Sequence, residues 1–250
     1  MAVSIKSARE IELMREAGKR LAHVHQELEA MIAPGISTWE IDAKGEKLIR
    51  DCGCIPNFLH YNGYPASICV SVNDEVVHGI PRKDRYLKEG DIVSLDAGLI
   101  YKGYHSDAAR THAVGNVSAE AQKLMDVTKQ SFFEGIKMAK EGQHLHDISR
   151  AIEEYVAPYG YGIVRDLVGH GIGTALHEDP QIPNYAQKRR GVRLQAGMTL
   201  AIEPMINAGT WQVRFLRDGW TVVTKDGSLS AHYENTILVT DGEPEILTLY

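Results

Sequence analysis

The stretch EGDIVSLDAGLIYKGYHSDAART (89–111) decides the fold, because it sets two carboxylates inside an otherwise apolar hairpin. Tyr101-Lys102-Gly103 predicts the turn, a type I turn followed by a glycine bulge. Asp96 and Asp107 lie about five residues on either side of its centre, which predicts directly opposed neighbours with Cβ atoms about 5 Å apart. Because Asp is depleted in strands, such a pair indicates a bound cation. The alternative is one Asp at a strand end or in a turn and the other facing solvent.

Two pairs of helices flank strand-rich segments. Capping boxes and apolar residues at helical spacing predict four helices: from Ser7 and Glu10 to Pro34-Gly35, from Ser37 and Glu40 to Gly53, from Ser118 to about Lys140, and from Asp147 to about Ala157. Short β-branched runs cut by Gly and Pro predict strands and hairpins over 65–115 and 161–250.

The order helix, helix, strands therefore occurs twice, and the two copies match at one offset. Seven identical pairs lie 107 positions apart: Glu27/Glu134, Met31/Met138, Gly35/Gly142, Ile41/Ile148, Glu46/Glu153, Gly53/Gly160 and Gly90/Gly197. About five identical pairs are expected by chance at one offset. The stronger argument for a duplication is therefore that predicted helix ends of one half align with predicted helix ends of the other. The same shift aligns Asp96 with Glu203. We expect two similar αβ halves, about 1–115 and 116–250, related by a pseudo-twofold axis near which these carboxylates meet.

Length and composition limit the remaining possibilities. The chain has 250 residues, 44% hydrophobic and 24% charged, and no Pro/Ser-rich linker, which favours one continuous domain, 1–250. A net charge of −6 argues against general nucleic-acid or membrane binding. No apolar run reaches the roughly 20 residues of a bilayer span, and the N-terminus resembles no signal peptide. Three cysteines in a chain of this size favour reduced thiols, so we expect a cytoplasmic protein.

The second half adds three candidate ligands. His170 lies in GHGIG (169–173), Glu203 ends an apolar strand in AIEP (201–204), and Glu234 opens another in YENTILVT (233–240). Each has an ordinary explanation, since a lone His is more often a core residue and a Glu at a strand end is usually solvated. Glycines on both sides of His170 indicate close backbone approach to something, which favours a functional role for it.

Charge favours metal binding. Four carboxylates in one cleft cannot all stay ionised unaided, because like charges a few ångströms apart raise one another's pKa. Two divalent ions balance them, and a bridging hydroxide leaves a net charge of about −1, as in two-metal hydrolases. Carboxylates with one imidazole suit Mn, Fe or Co, and Zn also fits.

Five motifs in order resemble the type I (bacterial) methionine aminopeptidases of the pita-bread metallopeptidase family: VVHGIP (76–81), DIVSLDAG with YHSDAART (91–111), GHGIG with LHEDP (169–180), MTLAIEPM (198–205) and DGWTVVTKDGSLSAHYENTILVT (218–240). The resemblance covers nearly the whole chain. It implies an α/β (α+β) pita-bread fold, with antiparallel sheet around a central dinuclear metal site.

The resemblance also implies the chemistry. Five residues would ligate two divalent ions, with Asp107 and Glu234 bridging them: Asp96, Asp107, His170, Glu203 and Glu234. A metal-bridging hydroxide would attack the first peptide bond of nascent proteins and release the initiator methionine when the second residue is small. Glu203 would act as general base and then acid, His177 would hydrogen-bond the carbonyl oxygen, and His78 would contact the scissile amide or the next residue.

The methionine pocket is likewise implied. The resemblance places six residues around the methionine side chain: Phe58, Tyr61, Tyr64, Cys69, Leu176 and Trp220. The alternative is that these aromatics are simply core. Phe58 and Leu176 depart from the best-known Gram-negative pattern, which has Cys and Phe there, and this leaves the pocket shape open. Met1-Ala2 makes the protein a candidate for its own substrate.

Rival assignments fit less well. Prolidases and proline-directed aminopeptidases of this fold carry an extra N-terminal domain, and type II methionine aminopeptidases carry an insertion for which the 25 residues between His177 and Glu203 leave no room. A catalytically dead binding module would have lost metal ligands. Lys188, Arg189 and Arg190 form a basic run that is either a solvated loop or a contact with ribosomal RNA. We expect a monomer, and the role of His232, two residues before Glu234, is left open.

Overall fold

The computed structural model describes residues 3–249, so the expectation about Met1-Ala2 concerns residues outside the described part. Within these described residues, the four α-helices are α1 (Ala8–Glu29), α2 (Thr38–Asp51), α3 (Ala119–Ile136) and α4 (Leu145–Val156). Fifteen strands are β1 (Ile55–Pro56), β2 (Ile68–Val72), β3 (Glu75–Val77), β4 (Ile92–Tyr101), β5 (Tyr104–Ala113), β6 (Gly162–Ile163), β7 (Gly169–Gly171), β8 (Glu178–Ile182), β9 (Thr199–Ile202), β10 (Met205–Asn207), β11 (Val213–Phe215), β12 (Val222–Thr224), β13 (Ser230–His232), β14 (Glu234–Leu238) and β15 (Glu245–Ile246).

The four predicted helices are confirmed, with shifted ends. Ser7 and Ser37 cap α1 and α2, and both capping boxes are formed. The first helix ends at Glu29 rather than at Pro34-Gly35, because the chain turns before the proline. The third ends at Ile136, short of Lys140, and α4 starts at Leu145, with Asp147 in its first turn accepting the N–H of His144. Within residues 3–249, no helix combines the length and the apolarity that a bilayer span requires.

The strands form mostly antiparallel sheet around the centre of the molecule. Nine strands share one sheet, whose main path runs β1-β4-β5-β14-β9-β7-β8, with β2 beside β4 and β15 beside β14. Two further sheets, β13-β10-β6 and β11-β12-β3, have three strands each. The helices cover apolar clusters of the two halves. One cluster packs α1 and α2 against β2, β4 and β5, and the other packs α3 and α4 against β9 and β14.

The hairpin of 89–111 forms, but with a different turn. Tyr101 pairs with Tyr104, so the turn has two residues, Lys102 and Gly103, with φ of 48° and 86°. Positive φ at both positions is the hairpin turn that matches strand twist, and it replaces the predicted type I turn with a bulge. The register moves by two residues as a result. Asp96 faces Ala109 and Asp107 faces Gly98, so the prediction that the two carboxylates are directly opposed is wrong.

The two residues nevertheless share a face, because positions two apart along a strand point the same way. Asp96 and Asp107 are therefore diagonal neighbours, a separation still within reach of side chains that converge on one ion. The hypothesis of a bound cation still holds in the observed register, because it requires only that Asp96 and Asp107 lie on the same face of the hairpin.

The predicted internal duplication is confirmed in detail. α2 and α4 begin 107 positions apart, as do β4 and β9. The isolated bridges Ser37–Tyr86 and His144–Arg193 are related by the same shift. Three of the identical glycine pairs have matching positive φ values: Gly35/Gly142 at 92° and 87°, Gly53/Gly160 at 70° and 73°, and Gly90/Gly197 at 88° and 92°. These identities therefore mark backbone positions that only glycine occupies without strain.

In the nine-stranded sheet, the halves join where β5 meets β14. Glu234 pairs with Ala109 and Asn235 with Ala108. Buried Arg110 crosses this join: its guanidinium donates to the carbonyl oxygens of Ala109 and Glu234 and, at 2.6 Å, to Oδ1 of Asn235. The site described below lies over this central seam. The prediction of a single domain, 1–250, stays a prediction.

Candidate metal centre and substrate pocket

A cavity of about 260 Å³ gathers the predicted ligands from both halves. Asp96 comes from β4, Asp107 from β5, His170 from β7 and Glu234 from the start of β14, while Glu203 directly follows β9. All five line this cavity. Ligand atoms of Asp107, His170 and Glu234 lie within 4.8 Å of one another, and His170 Nε2 is 3.7 Å from Glu203 Oε1. These separations allow the side chains to share ions.

The ionisation of these groups is strongly perturbed. Burial raises the pKa of Asp96 to about 7. Burial, and then the charges of neighbouring carboxylates, also raises the pKa of Asp107, Glu203 and Glu234. Burial lowers the pKa of His170 to about 3, which keeps its imidazole neutral and able to ligate. Without cations, the four carboxylates therefore resist being charged together.

The donor set fits divalent ions. Oδ1 of Asp96, Oδ1 of Asp107 and Oε1 of Glu234 are buried without a hydrogen-bond partner among the described residues. Buried charges that lack such partners are paired or coordinate metals. Oxygen ligands with one imidazole and no thiolate are typical of Mn, Fe or Co sites and also suit Zn.

The glycines around His170 have a structural explanation. A Cβ on Gly169 would lie 2.4 Å from the carbonyl oxygen of Ala201, and one on Gly171 would lie 2.2 Å from that of Asp179. The close approach that the sequence indicated is therefore made by neighbouring backbone, not by a ligand. The glycines let β7 fit between β8 and β9, which places His170 over the seam.

Two further histidines line the cavity. His177 Nδ1 is 2.8 Å from the hydroxyl of Tyr61, and its ring centroid is 4.3 Å from that of His170. His78 directly follows β3 and has a φ of 58°, a conformation uncommon for a non-glycine residue and often seen at functional sites. Burial lowers the pKa of both, for His78 to about 4, so both rings are neutral near pH 7.

The six residues expected around a methionine side chain line the same cavity. Phe58, Tyr64, Cys69 and Leu176 are buried, while Tyr61 is exposed at the mouth. The Trp220 ring packs edge-on against Tyr64 at 5.2 Å between centroids. All of them except Tyr61 pack in one apolar cluster with Met14 and Ile172, so these five are both core and pocket wall. The two interpretations left open by the sequence are therefore compatible.

Two lining or adjacent residues were not among the predicted site residues. Asn62 lines the cavity from a short 3₁₀ turn and has a φ of 50°; the available sequence signal was the Asn62-Gly63 pair, which marks a turn. His232 is fully buried, and its Nε2 lies 3.7 Å from Glu203 Oε2 and 4.0 Å from Glu234 Oε2. The sequence signal for a place of His232 near the site was its position two residues before Glu234.

The basic run lies elsewhere. Lys188 and Arg189 border a separate groove with His146, and Arg190 forms a 2.8 Å ion pair with Asp147. The structure does not bring these residues to the carboxylate cavity.

Comparison with known proteins agrees with this geometry. The family model described as metallopeptidase family M24 matches residues 12–241. A methionine aminopeptidase of Clostridium acetobutylicum is 54% identical, over 99% of this chain and 99% of that protein. Methionine aminopeptidase 1 of Bacillus subtilis is 52% identical, over 97% and 98%. The crystal structure of a methionine aminopeptidase from Thermotoga maritima superposes with a TM-score of 0.97 at 46% identity, covering all of both chains.

The chain belongs to metallopeptidase family M24 and has the pita-bread fold. It is thus a metal-dependent peptide hydrolase, as its motifs indicated.

Proposed function

We propose that this protein is a methionine aminopeptidase that removes the initiator methionine from nascent polypeptides whose second residue is small. The observation that carries the proposal is one cavity that combines five metal-ligating side chains with an apolar pocket of side-chain size. The full-length similarity to proteins named methionine aminopeptidase supports it.

We infer that two divalent ions bind here, held by Asp96, Asp107, His170, Glu203 and Glu234. The balance of four carboxylates against two dications supports the number, and Mn, Fe or Co suit the donors best. When bound, such ions polarise the scissile carbonyl and lower the pKa of the attacking water.

We propose that His177 donates a hydrogen bond to the substrate carbonyl. Its Nδ1 lies 2.8 Å from the hydroxyl oxygen of Tyr61; when the hydroxyl is the donor of this bond, the ring proton lies on Nε2. A neutral Nε2–H then hydrogen-bonds the carbonyl oxygen as negative charge develops, a contribution of about 2–4 kcal/mol for one such donor. His78, on the other wall, would contact the scissile amide or the backbone of the next residue.

Glu203 is the proposed proton carrier. Its buried carboxyl has a raised pKa, caused by burial and by the charges of Asp107 and Asp96. A raised pKa suits a group that accepts a proton from water and returns it to the leaving amine near neutral pH.

The pocket gives side-chain selectivity. Phe58, Tyr64, Cys69 and Leu176 form an apolar wall, and Tyr61 and Trp220 border it. An unbranched, apolar methionine side chain suits such a space, since thioethers pack well against aromatic rings.

We further propose that the enzyme acts in the cytoplasm as a monomer and meets its substrates at the ribosome. The three free cysteines agree with a reducing compartment. Lys188, Arg189 and Arg190 are the proposed contact with ribosomal RNA. Reversing their charges should reduce co-sedimentation with ribosomes, and undiminished binding would refute that contact.

The central test is metal-dependent cleavage of Met-Ala-Ser. Protein reconstituted with Mn, Fe, Co or Zn should release methionine, and chelation should stop it. Retained metal without turnover would indicate a binding module instead.

His177→Ala tests the assigned role of that residue. We expect kcat to fall by about 10²–10³-fold with bound metal unchanged, because one oxyanion donor is lost. Unchanged turnover would remove His177 from the mechanism.

A further inference from the structure

The N-terminal segment before α1 contacts the loop that carries His177. Lys6 is 7% exposed although it is a lysine, and its Nζ lies 2.6 Å from Oε2 of Glu178, the residue after His177. The hydroxyl of Ser4 donates to the same oxygen at 2.8 Å. The Lys6–Glu178 pair joins positions 172 residues apart and is largely shielded from water, with side chains 5% and 17% exposed.

The other carboxylate oxygen of Glu178 orders the loop itself. Oε1 accepts the N–H of Ala175 at 3.2 Å and the hydroxyl of Thr174 at 3.4 Å. Gly173 donates to the carbonyl oxygen of Ala175 at 3.1 Å, which closes the turn. Glu178 therefore links the N-terminal segment through one oxygen to the turn before Leu176 and His177 through the other.

The backbone at Gly173 and Gly197 accommodates the contact between Lys6 and Glu178. A Cβ on Gly173 would lie 2.5 Å from Cε of Lys6, so the absence of a side chain at Gly173 leaves the space that the lysine occupies. The N–H of Lys6 donates to the carbonyl oxygen of Gly197 at 2.8 Å. This anchors the segment beside β9, and Glu203 directly follows β9.

We propose that Lys6 and Glu178 are positioning residues that hold the 173–178 loop so that His177 faces the scissile carbonyl. The assignment rests on the proposed function for the role of His177, but the order of the loop can be measured without it. The ion pair acts through the loop: with Lys6 removed, Glu178 keeps a buried charge whose strongest partner is gone, and it turns toward water. The His177 ring then loses its alignment with Tyr61.

The test compares four variants with the wild type. Lys6→Met removes the cation, Lys6→Met/Glu178→Gln removes both charges while leaving an amide oxygen for Ala175, and Ser4→Ala removes only the hydroxyl. Lys47→Met is the matched control, since Lys47 forms an exposed pair with Asp51 far from the loop. Each is assayed for kcat and KM on Met-Ala-Ser with Mn²⁺, for bound metal, and by ¹⁵N NMR of the His177 ring in Zn²⁺-loaded protein.

We expect Lys6→Met to lower kcat by about 10–100-fold, because small misplacements of catalytic groups cost that much. KM and metal content should change little, and the Nδ1 signal of His177 should lose the shift caused by its hydrogen bond. The double variant should recover at least part of kcat, and Ser4→Ala should lose about 2–5-fold. Lys47→Met should match the wild type.

A kcat for Lys6→Met within twofold of the wild type, or an unchanged His177 signal, would overturn the proposal. So would a loss that only follows the unfolded fraction. If Lys6→Met does not fold, Ser4→Ala and the double variant decide by the same criteria. A wild type without aminopeptidase activity would refute the proposed function, whereas the NMR signal would still report whether the N-terminal segment orders the loop.

Discussion

The front and back halves share a backbone but carry different chemistry on equivalent positions. Helices and the first central strands correspond at a shift of 107, while β5 and β14 correspond at 125, as the bonds of Gly90 to Val114 and of Gly197 to Val239 show. The registers agree, since Leu95 pairs with Arg110 and Ile202 with Asn235.

Under these shifts, Asp96 corresponds to Glu203, Asp107 to His232, and Ala109 to Glu234. Ala109 and Glu234 also pair with each other, so they lie on the pseudo-twofold axis. The two positions related by the shift of 107 thus both carry a carboxylate, Asp96 on β4 and Glu203 directly after β9, whereas Asp107 and Glu234 have no carboxylate at the related position. The comparison indicates that the residues that determine the shared backbone of the two halves are different from the residues that contribute side chains to the cavity.

The substitution Glu234→Ala tests this difference between the halves most directly. It gives the second half the residue that the first half has at the equivalent position, Ala109. We expect loss of bound metal and a fall in activity on the order of 10³-fold or more, because the ions supply several kcal/mol of charge stabilisation. Metal analysis after dialysis and Met-Ala-Ser cleavage measure both. Full metal binding in this variant would contradict the assigned ligand set.

A second test concerns the carboxylate pair itself. In metal-free protein the raised pKa of Asp96, about 7 against an ordinary 3.8, means that the folded state holds a proton that the unfolded state releases. Asp96 therefore destabilises the fold increasingly as pH rises through that window. We expect chelated Asp96→Asn to melt on the order of 5 °C above the wild type at pH 7.5, with a smaller difference at pH 4.5.

The matched control is Asp51→Asn at the exposed end of α2, the same substitution outside the cavity. A melting difference that shrinks as pH rises would show that Asp96 is not held protonated in the metal-free fold. Added Mn²⁺ should reverse the ranking, because the wild type then gains its bound ions.

The smallest expected change in stability concerns the N-terminal caps of α2 and α4. Ser37 caps α2 with its hydroxyl, whereas His144 occupies the equivalent position before α4 without a side-chain cap bond. His144→Ser should raise the free energy of unfolding by about 0.5–1 kcal/mol, and Ser37→Ala should lower it by about 1 kcal/mol. Urea denaturation measures both, and equal signs for the two changes would contradict the comparison.

Much of the fold could be predicted because its signals are local. Capping boxes at Ser7 and Ser37 set the starts of α1 and α2, and Gly53, at a positive φ, directly follows the C-cap of α2. Helix ends were harder: α1 stops at Glu29 although its apolar spacing continues, since only tertiary packing decides where the chain turns.

The residues predicted from the sequence line one cavity, but the register of the hairpin that carries two of them was not predicted. Asp96 and Asp107 share a face in either register, so the two-residue shift left their convergence intact. The turn type caused that shift, and it depends on Lys102 adopting a positive φ, which composition does not signal. Asn62 also has a positive φ, but there the Asn62-Gly63 pair does indicate a turn, although not that the turn lines the cavity.

The seam between β5 and β14 has a mechanical consequence. Two residue pairs join the halves there, Ala109 with Glu234 and Ala108 with Asn235. Asp96 and Asp107 stand on one side of it, and Glu203 and Glu234 on the other. Ions bound by these four carboxylates, as proposed, would link the two halves. A motion that separates the halves would then have to break metal–ligand bonds, and metal binding would stabilise the folded protein against it.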